Sequence, residues 1–136
     1  MKGLYVSKTY KDDLDFIIEK LIWLKHFEGK SIFITGSTGL IGSAVADILL
    51  RYSELHNGDI KIYLAGRSRE RVTNRFSKYI SQKYCIYREY DATRKNELPD
   101  SLDYIIHAAS NAYPYLIQNN PVETMQDNFC GLMELL

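Results

Sequence analysis

One short segment, residues 33–50 with the sequence FITGSTGLIGSAVADILL, constrains the fold of this chain more than any other. An apolar run of β-forming residues leads into three glycines, Gly36, Gly39 and Gly42, and an apolar pattern at helical spacing follows them. Backbone N–H groups at the start of a helix are free to bind a phosphate, and the helix dipole adds partial positive charge there. The segment therefore predicts a strand, a phosphate-binding turn and a helix in direct succession.

The three glycines are expected to have different roles in this turn. Gly36 can adopt backbone angles that other residues avoid, Gly39 has no Cβ to keep a pyrophosphate from the main chain, and Gly42 lets the helix pack tightly against the strand. The spacing G-x-x-G-x-x-G is one residue wider at its start than the common G-x-G-x-x-G, and no lysine-containing P-loop pattern follows. Because a strand and a helix flank the glycines, we predict dinucleotide binding. The predicted contacts of the turn are Gly36, Thr38, Gly39, Leu40, Ile41 and Gly42.

Predicted strands and helices alternate along the rest of the chain. Apolar runs predict strands at residues 31–35, 60–65, 84–90 and 103–107. Helical spacing predicts helices at residues 10–27, 40–52 and 69–81, and from Pro121 onwards. Thr9 is the predicted N-cap of the first helix, and Gly29 is predicted to end it. With the glycine turn, this alternation predicts a Rossmann-type doubly wound α/β fold whose parallel sheet has right-handed crossovers.

The end of the second predicted strand is where the adenosine ribose of a dinucleotide would be read. An acidic residue there would favour NAD, but the sequence is LAGRSRER, with Arg67 and Ser68 at the strand end. The Arg67 guanidinium can pair with a 2′-phosphate or stack on adenine, and Arg69 or Arg71 lies nearby in sequence. NADP is therefore modestly favoured over NAD, with a solvated basic loop as the alternative interpretation.

The third and fourth predicted strands also end in candidate site residues. Asp91, followed by Ala92, lies where a carboxylate could accept a hydrogen bond from the adenine amino group; the alternative is a helix or turn cap. The small residues Ala108 and Ala109, followed by Ser110, would leave room for the cofactor. All these positions fall at the carboxyl ends of parallel strands, where doubly wound folds bind ligands.

Composition excludes several classes of function. Lys plus Arg and Asp plus Glu number 17 each, so net charge favours neither nucleic acid nor an acidic membrane surface. No apolar run approaches the roughly 20 residues of a membrane span. Cys85 and Cys130 lie in no metal-binding pattern, and no metal site is predicted. Two unpaired thiols are typical of a cytosolic protein, and a cytoplasmic location is the prediction.

The motifs TGSTGLIGS, DAT, HAAS and NPVETMQDNFCG resemble the extended short-chain dehydrogenase/reductase enzymes that remodel nucleotide sugars. Thr35, Gly36, Gly39 and Gly42 fill the family fingerprint T-G-x-x-G-x-x-G. The segment HAASNAYPYLIQNNPVET is similar to UDP-glucuronate decarboxylases, although dTDP-glucose 4,6-dehydratases and epimerases remain alternatives. The positions that match are His107, Ala109, Ser110, Ala112, Pro114, Asn120, Pro121, Thr124, Asn128 and Gly131.

The resemblance covers residues 30–136, a predicted NAD(P)-binding domain, and leaves residues 1–29 as an N-terminal helical extension. It implies that a catalytic tyrosine takes the proton of the sugar 4-hydroxyl while NAD(P)⁺ takes hydride from C4, with a lysine four residues on lowering the tyrosine pKa. The family places this Tyr-x-x-x-Lys well beyond the fourth strand, so no catalytic residue is expected within 1–136. A non-catalytic NAD(P)-binding module is the alternative.

Some residues mimic catalytic groups, and others are candidates only through the resemblance. Tyr79 and Lys83 fit Y-x-x-x-K but fall between the second and third predicted strands, so a catalytic role is not expected. His107 is expected to be structural. Tyr113 and Tyr115 are candidate substrate contacts, and the helix that begins near residue 120 implies a homodimer, as family members commonly pair through it.

Overall fold

The computed structural model of the chain describes residues 4–110 and 113–136. Within these residues the chain forms a four-stranded parallel sheet in the order β3-β2-β1-β4. The strands are β1 at Ser31–Thr35, β2 at Lys61–Gly66, β3 at Cys85–Glu89 and β4 at Tyr104–His107. The chain moves outward from β1 to β3 and then returns to the other side of β1. The predicted doubly wound parallel α/β fold is therefore confirmed.

The central strands are apolar on both faces, as expected for parallel strands covered on both sides. On one face Ile32, Ile34, Ile62 and Leu64 are fully buried in the larger core cluster. On the other face Phe33, Tyr63 and Ala65 pack with Tyr90 and Leu135 in a smaller cluster. The helices are α1 at Lys8–Lys20, α2 at Leu40–Leu55, α3 at Arg69–Arg75, α4 at Pro114–Asn119 and α5 at Pro121–Met133.

The predicted continuous helix over residues 10–27 is wrong. Helix α1 ends at Lys20, because Leu21 leaves helical geometry at φ −93° and ψ 64°, and a 3₁₀ helix follows at Ile22–Phe27. The N-cap is Ser7 rather than Thr9, since the Ser7 side chain accepts a hydrogen bond from the backbone N–H of Tyr10. Gly29 adopts a left-handed φ of +72° just after the 3₁₀ helix, as a stop signal requires.

The N-terminal residues belong to the same core as the sheet. Tyr5, Ile18 and Leu24 are buried in the larger core cluster with the residues of β1 and β2. The segment that the resemblance left outside the family pattern therefore packs directly on the α2 and α3 face of the sheet.

Two other helices differ from the prediction: α3 is shorter than predicted, and α4 was not predicted. The predicted helix at 69–81 ends at Arg75, and the following residues form turns with Phe76 and Tyr79 buried beneath them. The short helix α4 was not predicted, because six residues carry too little periodicity to reveal it; Pro114 starts it at a position that suits proline. The last helix begins at Pro121, as predicted.

Two features are absent from the described part of the chain. No helix within residues 4–110 and 113–136 is long and apolar enough to cross a membrane. The same residues contain no group of three or more His, Cys, Asp or Glu side chains that could hold a metal ion.

Candidate functional site

Gly36 lies where the turn after β1 crosses the end of β4. Its φ is +61°, a left-handed conformation that side chains rarely adopt. A Cβ at this position would lie 2.5 Å from the carbonyl oxygen of Ala108 and 2.7 Å from the backbone nitrogen of Ala109. The predicted conformational role of Gly36 is confirmed, and close backbone packing is a second reason for glycine.

The other two glycines differ in the space beside them. A Cβ on Gly42 would lie 2.3 Å from the Gly36 carbonyl oxygen, so the close approach that requires glycine is to the turn and not, as had been predicted, to the strand. A Cβ on Gly39 would meet only that same oxygen within 4 Å, at 3.2 Å. Gly39 is the N-cap of α2, and no side-chain hydrogen bond caps the helix. The first amides of α2 thus have no side-chain cap, and Gly39 leaves the approach to them open.

Polar bonds fix the turn to the ends of the neighbouring strands. The buried Ser37 donates its hydroxyl to the carbonyl oxygen of Ala65 at 3.1 Å, which joins the turn to β2. Thr35 Oγ1 accepts hydrogen bonds from the backbone N–H groups of Ala108 and Ala109, both at 3.1 Å, which joins β1 to the end of β4. The turn is therefore held from both sides.

The Thr35 hydroxyl also settles the role of His107. Its oxygen lies 2.8 Å from His107 Nδ1, and because the two amides use its lone pairs, its proton points to that nitrogen. His107 is then the neutral tautomer with its proton on Nε2. Burial lowers the pKa of His107, which agrees with a neutral ring. This geometry gives His107 a structural function, in line with the prediction.

A cleft of about 220 Å³ opens beside the glycine turn. The turn, the ends of β2, β3 and β4, and helix α5 all contribute to its wall. Its lining consists of Gly36, Thr38, Gly39, Gly66, Arg67, Ser68, Arg71, Val72, Tyr90, Asp91, Ala92, Thr93, Ala108, Ala109, Ser110, Asp127 and Asn128.

The cleft brings together most of the residues that the sequence predicted as cofactor contacts. Those that line it are Gly36, Thr38, Gly39, Arg67, Ser68, Asp91, Ala92, Ala108, Ala109 and Ser110. The side chains of Leu40 and Ile41 do not; they are 91% and 70% exposed at the start of α2, so only their backbone amides could serve a ligand. Gly42 is buried beneath the turn. Tyr113 and Tyr115 are exposed on or beside α4 and do not line the cleft, and Ala112 lies outside the described residues.

The structure distinguishes between the two arginines that follow Arg67. Ser68 is the N-cap of α3, and its side chain accepts a hydrogen bond from the backbone N–H of Arg71. Arg71 lines the cleft. Arg69 instead places its guanidinium 5.7 Å from the ring centre of Tyr87, outside the cleft lining. Arg67 and Arg71 are therefore the basic pair at the end of β2 that faces the cleft.

Asp91 is engaged in the turn after β3. Its Oδ1 accepts hydrogen bonds from the backbone N–H of Thr93 at 3.1 Å and from the Thr93 hydroxyl at 2.8 Å. The Thr93 backbone bond is the main cause of the lowered pKa of Asp91. The turn-cap alternative is thus what the structure shows for Oδ1, although Asp91 also lines the cleft.

Two cleft residues were missed because the sequence does not show which side of α5 faces the sheet. Asp127 and Asn128 of α5 line the cleft. The helix can approach the cleft because Gly131 has no Cβ; a Cβ there would lie only 2.7 Å from the Ala92 Cβ. Tyr90 also holds the helix in place, since its hydroxyl donates to the Gly131 carbonyl oxygen at 2.8 Å. The N-x-x-G pattern was the available signal, since a glycine at that spacing permits this approach.

Tyr79 lies outside the cleft in the larger core cluster. It is 1% exposed, and its hydroxyl donates to Glu54 at 2.9 Å and accepts from Lys78. Burial is the main cause that raises its pKa. A buried phenol with a raised pKa is a poor base, so the Tyr79–Lys83 pattern has a structural explanation.

Two further depressions flank the cleft region. The larger cavity, about 640 Å³, lies between β3 and residues 94–101, shares no residue with the cleft, and holds the Arg94–Glu89 ion pair in its wall. A shallow groove of about 560 Å³ runs along α5 and shares Ser110 and Asn128 with the cleft. Of the three depressions formed by the described residues, only the cleft is lined by residues of the glycine turn, so we place the site there despite the larger cavity.

The sequence profile of the NAD dependent epimerase/dehydratase family matches residues 32–136, most of the chain. The chain belongs to this family. The resemblance read from its motifs is therefore confirmed at the level of the epimerase/dehydratase family, whose name specifies a nicotinamide cofactor.

One curated protein is similar to this chain in sequence, and one solved structure is similar to it in fold. The epimerase/dehydratase chain is 26% identical over 110 residues to the UDP-N-acetylglucosamine 4,6-dehydratase (inverting) of Campylobacter jejuni, an alignment that covers 81% of this chain and 32% of the relative. The X-ray structure of Pen from Bacillus thuringiensis shares its fold with a TM-score of 0.61 at 20% identity, over 80% of this chain and 33% of Pen. The chain thus spans about a third of the length of each relative.

Proposed function

We propose that the chain is the cofactor-binding part of a nucleotide-sugar-modifying enzyme that acts through NAD(P)-dependent oxidation at sugar C4. The observation that carries this proposal is the cleft at the N-terminus of α2, lined by Gly39, Arg67 and Ala108 in a chain of the epimerase/dehydratase family. The relationship to a UDP-N-acetylglucosamine 4,6-dehydratase supports a nucleotide sugar as the substrate class.

The cleft residues fit a dinucleotide. The missing Cβ of Gly39 leaves the first amides of the 16-residue helix α2 open to a pyrophosphate. Ala108 and Ala109 leave space at the end of β4, where larger side chains would fill the cleft. The nicotinamide group supplies a hydride acceptor when it is bound. The residues described here would bind and orient the cofactor.

Arg67 and Arg71 support a preference for NADP. Both line the cleft, and no acidic residue stands at the end of β2 to accept the ribose hydroxyls. Guanidinium groups pair well with a phosphate dianion. Arg67→Ala should weaken NADP⁺ binding by about 1.5–3 kcal/mol, the typical value of a hydrogen bond to a charged group, and spare NAD⁺. A wild-type preference for NAD⁺ would overturn the NADP assignment.

We further propose a reaction like that of UDP-glucuronate decarboxylases, with 4,6-dehydration or epimerisation as the other outcomes of a 4-keto sugar. The similarity of HAASNAYPYLIQNNPVET to the decarboxylases supports it. The catalytic Tyr-x-x-x-Lys is proposed to come from sequence after residue 136. Residues 1–136 alone should then bind the cofactor without turning over UDP-glucuronate or dTDP-glucose. Turnover by these residues alone would refute this part of the proposal.

A homodimer through α5 is also proposed. An apolar strip is exposed on α5 and just beyond its end, and its members are Val122, Met125, Phe129, Leu132 and Met133 on the helix, with Leu136 after it. Apolar surface of this extent is typical of an interface. Phe129→Lys should therefore convert the full-length protein to a monomer in sedimentation, while the control Glu123→Lys, off the strip, should not. A monomeric wild type would contradict the proposal. The cytoplasmic location stays a prediction from the sequence.

Calorimetry with NADP⁺ and NAD⁺ tests the central proposal. Wild type should bind at least one of them, and Gly39→Val should bind neither while retaining a cooperative thermal transition, because a branched side chain would fill the approach to α2. Equal affinity in wild type and variant would remove Gly39 from the site. Turnover of nucleotide sugars by the full-length protein separates an enzyme from a non-catalytic NAD(P)-binding module.

A further inference from the structure

Asp47 is a buried carboxylate that lies outside the cofactor cleft. It is 0% exposed on α2, and it accepts hydrogen bonds from the hydroxyls of Tyr5 and Tyr10 and from the guanidinium of Arg75. Arg75 also donates to the Tyr5 hydroxyl at 3.0 Å and packs 5.5 Å from the ring centre of Tyr5. We call these four residues, Tyr5, Tyr10, Asp47 and Arg75, the tyrosine clamp.

The tyrosine clamp joins three parts of the chain. Tyr5 and Tyr10 come from the N-terminal segment, Asp47 lies about two turns into α2, and Arg75 is the last residue of α3. Burial raises the pKa of Tyr10 to about 12, and the pKa of Tyr5 is raised further, so both hydroxyls remain donors at neutral pH. A buried carboxylate needs every such partner, because an unpaired buried charge is strongly destabilising.

Helices α2 and α3 each connect the clamp to the cleft. Helix α2 presents the glycine turn at its N-terminus, and α3 follows directly on Arg67 and Ser68. Helix α3 has only seven residues, and Arg71 precedes Arg75 by one turn on the same side. The ion pair of Asp47 with Arg75 therefore sets the position of α3 relative to α2.

We propose that the tyrosine clamp holds Arg67, in the loop after β2, and Arg71, in the first turn of α3, in position beside the glycine turn, so that the N-terminal segment raises dinucleotide affinity from outside the site. This inference rests on the proposed cofactor function of the cleft. Its physical basis is preorganisation: binding loses less conformational entropy when the contacting groups are already fixed. Tyr5, Tyr10, Asp47 and Arg75 are positioning residues, since none of them lines the cleft.

A second ion pair of the N-terminal segment provides a matched control. Arg51 of α2 donates to both oxygens of Asp15 on α1, at 2.7 and 2.8 Å. This pair joins the N-terminal segment to α2 but does not include α3. Asp15→Asn therefore loosens the same segment without loosening the loop that follows β2.

The test compares the full-length wild type, the double variant Tyr5→Phe/Tyr10→Phe and Asp15→Asn by calorimetry with NADP⁺ and NAD⁺. Both variants should melt at a lower temperature than wild type. The double variant should lose about fivefold or more in affinity for the preferred dinucleotide, the lower end of typical coupling between linked sites. Asp15→Asn should keep wild-type affinity. Equal losses in both variants would show that the effect is general loosening, and would overturn the inference.

A double-mutant cycle gives a readout that a purely structural role would not change. In an Arg67→Ala/Arg71→Ala background, the clamp variant should cause no additional loss of affinity, because the groups that it positions are gone. An undiminished loss there would contradict the inference. If the double variant does not fold, Tyr10→Phe alone serves, since Tyr10 is only partly buried. A wild type that binds neither dinucleotide refutes the proposed function, whereas a binding wild type with an equally tight clamp variant refutes only this inference.

Discussion

Replacing Gly36 with alanine should cost this fold far more than the same change three residues later at Gly39. Both glycines belong to one turn, and both changes add a single methyl group. At Gly36 the φ is +61° and the new Cβ would lie 2.5 Å from the Ala108 carbonyl oxygen, a backbone atom. At Gly39 the φ is −74° and the nearest atom would be 3.2 Å away. The two substitutions therefore separate a folding role from a binding role.

The structure gives the expected size of each effect. The left-handed conformation at Gly36 costs a residue with a side chain about 1–2 kcal/mol. Forcing the turn away from the end of β4 adds about 1–3 kcal/mol, as overpacking does elsewhere. The free energy of unfolding should thus fall by about 2–5 kcal/mol in Gly36→Ala. In Gly39→Ala the loss should be about 1 kcal/mol or less, the cost of alanine at an N-cap.

Thermal unfolding measures the difference directly. For a domain of this size, 1 kcal/mol shifts the midpoint by about 4 °C. Gly36→Ala should then melt about 8–20 °C below wild type and Gly39→Ala within about 4 °C of it. Added dinucleotide should raise the midpoint of wild type more than that of Gly39→Ala. A Gly36→Ala variant that melts with wild type would refute the steric argument at the end of β4.

Three further outcomes follow from individual contacts. Thr35→Val removes the hydroxyl that accepts hydrogen bonds from the Ala108 and Ala109 amides, and it should lower the free energy of unfolding by about 2 kcal/mol or more in urea titrations. Thr35→Ser keeps this hydroxyl and should keep most of the wild-type free energy of unfolding. Tyr90→Phe loses the hydrogen bond to Gly131 and should cost about 1 kcal/mol by the same assay. Burial acts to raise the pKa of Glu54, but hydrogen bonds from Lys78, Arg51 and Tyr79 hold it at about 2, below its ordinary 4.5. The stabilisation from Glu54 is therefore complete above about pH 4.5 and is lost as the pH falls towards about 2, so Glu54→Gln should lose stability less steeply with acidification than wild type.

The sequence predicted the fold well where apolar patterns are long and their ends are marked. β1 and its glycine turn, β2, and the start of α5 at Pro121 lie where the patterns placed them, within a residue. The N-terminal helix was mispredicted because residues 21–24 continue the apolar spacing, whereas the backbone leaves α-helical geometry at Leu21 and continues as a 3₁₀ helix in which Leu24 is buried. The spacing of apolar residues indicates which side chains are buried, but it does not distinguish an α-helix from a 3₁₀ helix that buries them.

The candidate site divides in the same way. Local positions such as Gly36, Arg67 and Ala108 could be assigned because parallel strands end at one edge of the sheet. Asp127 and the choice of Arg71 over Arg69 could not, since they depend on how α5 and α3 are rotated about their axes. The hydrogen-bonding of Asp91 with Thr93 was visible only as an alternative, because a turn cap and a ligand contact use the same residue type.

The glycine turn and the two arginines should contribute differently to cofactor choice. The glycine turn is fixed by Thr35, by Ser37 and by its own contact with Ala108, so the phosphate end is formed before any ligand arrives. The basic pair consists of exposed side chains, Arg67 in the loop after β2 and Arg71 in the first turn of α3. Substitutions at these two arginines can therefore change the selectivity between NADP⁺ and NAD⁺ while the phosphate contacts stay in place. Substitutions in the glycine turn should weaken both cofactors alike, because both contain the same pyrophosphate.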